Sequence, residues 1–417
     1  MNRENTVRWL TRVTALAVAV WCAWPGREPA WLAGAVPSLS PFNALLAVAA
    51  GAGGLFLLGA LAVACVCAFR PRFFCRWLCP VGTSLDAAAS ARKRTERAIR
   101  KRCGCADCNR VAGSAVTQVF PRIGAALALF GVGAAAIGYP LFGWLDPLAI
   151  FNAAFDAARR QPDGHVWLAV AGLPCLLALA VILPGLWCGR VCPLGALQDL
   201  LRLPLQIAGN LRKPANSPTP SAVSRHGRRV FLGLGLGAAY RLAISPARAA
   251  AAQQAVRPPA AGDGARFTRL CTRCGACARV CPSGIIRFGG SGSGWAGVLA
   301  PEVTFDSGYC SPTCTRCGEV CPSGAIPRFT QKTKHAQPMG AARWLEDHCF
   351  LGIGRECSAC VGACPYAALD LAWDAKNMTS RVVVDLTRCT GCGCCEYVCP
   401  TSPKAIRIHH PNHGSTP

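Results

Sequence analysis

Four cysteine runs, each ending in Cys-Pro, constrain the second half of this 417-residue chain more than any other feature of its sequence. The first and last runs have the spacing Cys-x2-Cys-x2-Cys-x3-Cys-Pro, which is the bacterial ferredoxin pattern. The two middle runs differ only in their first spacing. Three thiolates on such a tight loop can bind one iron–sulfur cluster, while the fourth points to the neighbouring cluster.

Because the fourth cysteine of each run binds the cluster of the neighbouring run, adjacent runs form pairs. The sequence therefore predicts two dicluster ferredoxin modules of α+β fold, at residues 261–335 and 336–417. The pattern therefore predicts four [4Fe–4S] clusters, held by cysteines that act as ligands and not as catalytic acids or bases. The predicted ligand sets are set A, Cys271, Cys274, Cys277 and Cys321; set B, Cys310, Cys314, Cys317 and Cys281; set C, Cys349, Cys357, Cys360 and Cys399; and set D, Cys389, Cys392, Cys395 and Cys364.

Two other uses of these cysteines are less compatible with the pattern. Disulfides form in oxidising compartments, but a disulfide framework does not repeat a ferredoxin spacing four times. Zinc ribbons use separated Cys-x2-Cys pairs. Cys394 stands beside a predicted ligand and is interpreted as a bystander.

The first half of the chain is apolar. Of all residues 52% are hydrophobic and only 15% are charged, against roughly 25% charged in an ordinary soluble domain. Three long stretches carry no charge, at 42–69, 123–145 and 166–187, and a shorter apolar segment covers 13–24. We therefore expect an α-helical membrane domain of four spans over residues 1–205, with buried core helices as the alternative.

The basic residues are unevenly distributed between the predicted loops. Residues 70–122 and 188–229 hold 19 Lys and Arg, whereas 25–41 and 146–165 hold three. The positive-inside rule then predicts a bacterial inner-membrane protein with a cytoplasmic N-terminus. The predicted membrane topology explains much of the formal charge of +24, because many basic residues lie in the predicted cytoplasmic loops. Binding of nucleic acid is therefore not expected.

Residues 206–260 are predicted to form a linker that contains an internal export signal. Arg228 and Arg229 precede a Gly/Leu/Ala run that reaches Tyr240, and small residues follow it. This order is typical of a twin-arginine signal. The alternatives are a short fifth membrane anchor, or an amphipathic linker that remains in the cytoplasm. The signal and the anchor would both place the ferredoxin modules in the periplasm.

A repeat with a period of 113 residues occurs within the first half. It aligns two Cys-x3-Cys-Pro elements, and an Asp follows each at the same offset, Asp86 and Asp199. Four thiolates at one face could hold a zinc ion or an iron–sulfur cluster, and Cys103, Cys105 and Cys108 could complete a second site. Structural zinc or free thiols remain alternatives. The four repeat cysteines, called set N below, are Cys75, Cys79, Cys188 and Cys192.

Other redox cofactors lack their usual motifs. The predicted spans contain no His and the chain has no Cys-x2-Cys-His, so haem is not expected. No flavin or nicotinamide fingerprint is found, because the glycine run at 233–237 lacks the required spacing. Cys22, Cys65, Cys67 and Cys175 are predicted to be residues of the spans, with Cys65 and Cys67 as possible extra ligands.

The two halves together resemble a known electron-transfer system. The two Cys-x3-Cys-Pro elements resemble the membrane ferredoxin of periplasmic nitrate reductase and methylamine-utilisation systems. The export signal, Gly275, Tyr309-Cys310 and the four cysteine runs resemble the periplasmic partner ferredoxin. The two halves are separate chains in those systems and fused here. This chain departs from the pattern because its first half lacks a complete cytoplasmic ferredoxin motif.

The resemblance implies electron transfer between the quinol pool in the membrane and a periplasmic reductase, dehydrogenase or cytochrome. It does not imply a self-contained catalytic activity. The alternative function is that of a maturation or regulatory polyferredoxin, which supplies electrons for the assembly of another metalloenzyme.

Overall fold

The computed structural model describes residues 3–26, 28–49, 57–103, 123–136, 142–156, 169–202, 255–289, 299–375 and 379–410, with a few isolated positions between them. Contacts divide the chain into two compact units. The first consists of Met1–Arg27, Leu32–Ile244 and Thr272–Cys274, and the second of the remaining residues.

The described elements of the first unit are helical. A single turn of π-helix, Trp187–Val191, carries Cys188 and leads into the last helix. Proline occupies the first position of the two helices that follow Cys79 and Cys192, where the missing N–H costs no hydrogen bond. The helices are α1 Arg3–Ala23, α2 Leu32–Ser38, α3 Pro41–Ala49, α4 Leu57–Phe69, α5 Phe73–Trp77, α6 Pro80–Cys103, α7 Gly124–Ala136, α8 Pro147–Ala153, α9 Gly172–Ile182 and α10 Pro193–Leu201.

The predicted membrane domain of four spans is wrong. Among the described residues, no helix combines the length and the apolar character needed to cross a bilayer. Helices α4 and α7, which lie in uncharged stretches, have 13 residues each, whereas a span needs roughly 20. Helix α1 has 21 residues but includes Arg3, Arg8 and Arg12.

Aromatic and aliphatic side chains from several helices form the core of the first unit. Phe42, Leu148, Phe151 and Leu194 are fully buried, and they belong to α3, α8 and α10. Cys79 and Cys192 belong to the same cluster of buried residues. The predicted signal at Arg228 and Arg229 lies outside the described residues, as does most of the linker.

Short helices and three two-stranded antiparallel sheets make up the described second unit. Strand β3 pairs with the distant β6, so that Ala342 faces Ile408, while β1 pairs with β2 and β4 with β5. The elements are α11 Gly264–Leu270, α12 Ala276–Val280, β1 Ile286–Phe288, β2 Pro301–Val303, α13 Arg316–Glu319, α14 Gln331–Lys334, β3 Ala341–Trp344, α15 Ala359–Gly362, β4 Leu369–Asp374, β5 Thr379–Val384, α16 Cys394–Val398 and β6 Ile406–His409.

Two glycines let backbone segments approach each other closely in this unit. A Cβ at Gly391, whose φ is +68°, would lie 2.5 Å from the backbone nitrogen of Gly340. A Cβ at Gly318 would lie 2.8 Å from the ring of Phe329. Both glycines stand beside predicted ligands, so each cysteine loop closes only because these positions lack a side chain.

Asp146 is a fully buried carboxyl at the N-terminus of α8. It accepts a hydrogen bond from the backbone N–H of Leu148 and another from the side-chain amide of Asn43. Burial raises the pKa of Asp146 to about 7, although its hydrogen bonds with Ser40 and Leu148 oppose the shift. The native state therefore holds this proton more tightly than the unfolded chain does.

Because the folded pKa of Asp146 is raised from 3.8 to about 7, stability should fall as the pH rises through that range and remain low above it. Asp146→Asn keeps the helix cap but cannot ionise. We expect this variant to raise the free energy of unfolding at pH 8 by on the order of 1–3 kcal/mol, with little change at pH 4. Chemical denaturation at both pH values measures the effect, and the exposed Asp370→Asn is the control. Equal changes at the two pH values would contradict the assignment.

Candidate metal centres

The four cysteines of set N surround one cavity in the first unit. Cys75 belongs to α5, Cys79 immediately precedes α6, Cys188 lies on the π-helical turn, and Cys192 caps α10. The cavity has a volume of about 170 Å³, and Trp187, Pro147 and several arginines complete its wall. The two Cys-x3-Cys-Pro elements, 113 residues apart in sequence, therefore contribute to a single site.

The two elements also share the same local hydrogen bond. The backbone N–H of Gly82 donates to Cys79 Sγ at 3.4 Å, and the backbone N–H of Gly195 donates to Cys192 Sγ at 3.4 Å. An N–H group aimed at sulfur stabilises the thiolate over the thiol. The repeat in the sequence is thus a repeat of a thiolate-stabilising turn.

Two Arg–Asp pairs lie beside set N. Arg12 contacts Asp86 at 2.6 Å, and Arg72 contacts Asp199 at 2.5 Å. Arg72 also donates to the backbone carbonyl of Cys188 at 3.2 Å. The sequence showed the two aspartates at matching offsets but not the arginines, because each arginine lies far from its partner along the chain.

Burial dominates the electrostatics of set N. It raises the pKa of Cys79 to about 12 and that of Cys188 to about 11. The pKa of Cys75 is raised well above its usual range by burial first, and then by the other three thiolates. Arg72 acts in the opposite direction on both Cys75 and Cys188. Two of these thiols, Cys79 and Cys192, are buried and the other two are half-buried. Thiols with such raised pKa values lose their protons readily only when a metal binds in place of the proton.

Set B is brought together around Cys317 in the second unit. Burial raises the pKa of Cys317 well above its usual range, and the next three causes are the neighbouring Cys310, Cys314 and Cys281. Cys281 belongs to the preceding cysteine run, so the structure places it with the thiols that the swapped-ligand rule predicts.

Set C lines a small apolar pocket. Its wall contains Cys349, Cys357, Cys360 and Cys399, together with Val382 of β5. Burial, followed by the charges of Cys357 and Cys349, raises the pKa of Cys360 to about 11. The last cysteine of the final run therefore joins three cysteines of the run before it.

Set D is assembled at the N-terminus of α16. Burial raises the pKa of Cys395, and the charges of Cys392 and Cys389 raise it further. Cys364 contributes to the raised pKa of Cys392, which reaches about 12. Cys394 donates from Sγ to the backbone carbonyl of Ala363 at 3.1 Å, and its interpretation as a bystander stays a prediction.

Set A and the second site predicted for the first half, with Cys103, Cys105 and Cys108, remain predictions. Cys274 and Cys277 are buried, and Cys321 Sγ accepts a hydrogen bond from the backbone N–H of Ile326 at 3.3 Å. Cys105 and Cys108 lie outside the described residues, as does the side chain of Cys103. Of the remaining cysteines, Cys22 and Cys67 are buried, and Cys65 and Cys175 are exposed.

The donor sets fit a polynuclear cluster. In the described part of the chain, no three His, Cys, Asp or Glu side chains stand close enough together to share one metal ion. The thiols of set N line a cavity of about 170 Å³. All-cysteine donor sets are those used for [4Fe–4S] clusters.

The sequence matches two family models. The first, described as a 4Fe-4S dicluster domain, matches residues 270–325 and 355–402. The second, described as a 4Fe-4S binding domain, matches residues 52–98 and 164–213. The first pair of segments includes all of sets A, B and D and every member of set C except Cys349. The second pair includes set N.

Several characterised proteins are similar to parts of the chain. The methylamine utilization ferredoxin-type protein MauM of Methylobacillus flagellatus is 32% identical over 194 residues, which cover 43% of this chain and 79% of MauM. The ferredoxin-type protein NapG of Escherichia coli K12 is 31% identical over 209 residues, 45% of this chain and 87% of NapG. The ferredoxin-type protein NapF of the same strain is 28% identical over 172 residues, 41% of this chain and 96% of NapF. No solved structure matches the chain.

We predict that the swapped ligand can be observed directly. Cys281→Ser should remove or alter the same cluster signal as Cys317→Ser, because the two thiols lie in one set. Cys277→Ser should affect a different signal. Iron content and low-temperature EPR of anaerobically purified variants measure this, and Cys394→Ser should retain every signal. If Cys281→Ser matched Cys277→Ser, the swapped assignment would be wrong.

A second substitution pair tests set N. Cys79→Ser should lower the iron content by about four atoms per chain, the content of one cluster. The exposed Cys65→Ser, in the same unit, should leave the iron content unchanged. Zinc should also be measured on both variants. Loss of one zinc with full retention of iron would exclude an iron–sulfur cluster in set N.

Proposed function

Because this chain belongs to the family of ferredoxin-type iron–sulfur proteins that includes MauM and NapG, we propose that it relays electrons between the quinol pool and a periplasmic redox enzyme. Its class is that of an iron–sulfur electron-transfer protein. When bound, the clusters supply one-electron redox chemistry. The chain supplies the thiolates, the spacing between them and the charges around them.

A backbone hydrogen bond between two ligand loops carries the proposal. The N–H of Cys310, in set B, donates to the carbonyl of Cys392, in set D, at 2.9 Å. Set D also lies near set C, because the charge of Cys360 in set C raises the pKa of Cys395 in set D. Sets B, D and C therefore follow one another in space. Such a succession suits one-electron steps among these three sets better than three isolated sites would.

Aromatic side chains occupy the junction between sets B and D. The phenol of Tyr366 lies near Cys392, Cys310 and Cys364, and its pKa is raised mainly by burial. The ring of His335 packs against Tyr366 with the ring centroids 4.9 Å apart. Tyr366 is half-buried and His335 is exposed, so the ring pair covers the shared loops from the solvent side.

The location is part of the proposal. We place the protein at the bacterial inner membrane, in contact with lipid and the quinone pool, with its ferredoxin modules in the periplasm. The supporting observation is the pair of arginines at 228–229, which precede an apolar run and small residues. A reductase, dehydrogenase or cytochrome in that compartment is the proposed partner, while nucleic acid is not.

The relay is tested on the full chain, purified anaerobically. We expect about 16 irons per chain from sets A to D and about 20 with set N. A quinol should reduce the clusters, as followed by EPR. In a variant with all four cysteines of set N changed to Ser, dithionite should still reduce the remaining clusters but quinol should reduce them more slowly.

The outcomes separate the relay from its alternative. Loaded clusters that quinol does not reduce, at any rate compatible with turnover, would favour the role of a maturation factor that supplies electrons for metalloenzyme assembly. Chains that bind no iron would refute both roles.

A further inference from the structure

Lys334 is a buried lysine beside a predicted ligand loop. Only 4% of its surface is exposed. Its Nζ donates to the backbone carbonyl of Ser311 at 2.5 Å and to that of Cys314 at 2.8 Å. Its charge also opposes the rise that burial causes in the pKa of Cys310. Lysine is almost never this deeply buried without such partners, because an ammonium group loses its hydration on burial.

Lys334 belongs to a short helix whose N-terminus is closed by two reciprocal hydrogen bonds. Lys334 ends α14, and Thr330 caps the N-terminus of that helix. The Thr330 hydroxyl accepts from the backbone N–H of Thr333 at 3.3 Å, and the Thr333 hydroxyl accepts from the backbone N–H of Thr330 at 2.9 Å. This reciprocal pair fixes the direction in which the lysine leaves the helix.

The counter-charge of Lys334 is provided by the thiolates of set B. Across the described residues, no carboxylate forms an ion pair with Lys334. The lysine favours the charged form of both Cys310 and Cys317. A buried cation that faces thiolates stabilises any further negative charge placed among them, since a low-dielectric interior screens it weakly.

The other ligand sets of this unit have different surroundings. Lys404 donates to the carbonyl of Cys399, in set C, at 2.5 Å, but this lysine is only partly buried. Next to Cys395, in set D, stands Glu396, a carboxyl that accepts from the backbone N–H of Ile408 at 2.7 Å. Set B therefore has a buried lysine beside it, and Lys334 is the only lysine buried among the residues that the structure describes. The carboxyl of Glu396, near set D, has Arg407 and Lys404 as its own counter-charges.

We infer that Lys334 is a positioning residue that raises the reduction potential of the cluster in set B above that of its neighbour in set D, and so directs electrons across the junction toward set B. Adding an electron increases the negative charge of the site by one, and Lys334 stabilises that charge. The inference rests on the proposed function, because it requires a cluster in set B.

The test is a redox titration of the full chain, followed by EPR, for the wild type and three variants. Lys334→Gln keeps a hydrogen-bond donor and removes the charge. It should lower the midpoint potential of one cluster, whose signal is identified by its loss in Cys281→Ser. Lys334→Arg keeps the charge and should leave that potential near the wild-type value. Lys404→Gln should leave the signal of set B unchanged.

Failure of the inference is distinguishable from failure of the proposed function. Full iron content with an unchanged potential in Lys334→Gln would overturn the inference alone. Wild-type chains without iron would overturn the proposed function. If the Lys334→Gln protein fails to bind the cluster, the titration is done on Thr333→Ala instead. That change loosens the helix that holds Lys334 and lies outside the ligand loop. A smaller fall in the same potential then supports the inference, and an unchanged potential overturns it.

Discussion

Burial of many thiolates in a small volume is the constraint on which the rest of this structure depends. An unpaired buried charge is strongly unfavourable, so each set of cysteines needs nearby positive groups, aimed N–H donors and, finally, iron. The described structure supplies the first two in several forms: the glycine N–H groups behind Cys79 and Cys192, the guanidinium of Arg72 and the ammonium of Lys334. These groups belong to the protein itself, and they determine which cysteine loops can place their thiolates in the interior.

In the first unit, two copies of one short turn together form the site of set N. One short turn, in which Pro follows Cys and a glycine N–H returns to sulfur, occurs twice with the same 3.4 Å contact. Each copy provides two thiols, which are too few for a cluster, and the cavity exists only because the helices bring the copies together. The Arg–Asp pairs differ between the copies, since Arg12 comes from α1 and Arg72 from the turn before α5. The two copies thus share the sulfur donors and differ in the charged groups around them.

The sequence was most informative where chemistry restricts local spacing. Cysteine spacing alone indicated which thiols of sets B, C and D would be neighbours, including the swapped Cys281 and Cys399, and it left Cys394 out. It could not indicate Lys334 or the partner of Asp199, because those contacts depend on how distant segments pack. Counting uncharged residues failed for the first unit, where the described helices in apolar stretches such as α4 and α7 are too short to span a bilayer. An apolar run has the same composition in a core as in a membrane.

The swapped positions of Cys281 and Cys399 have a consequence for how the protein is made. Cys317 lies with a thiol that is synthesised earlier, whereas Cys360 lies with one synthesised almost forty residues later. A nascent chain emerging from the ribosome therefore presents only incomplete groups of thiols until the following run has also emerged. A swapped set therefore becomes complete only after cysteines from both runs of its module have been synthesised.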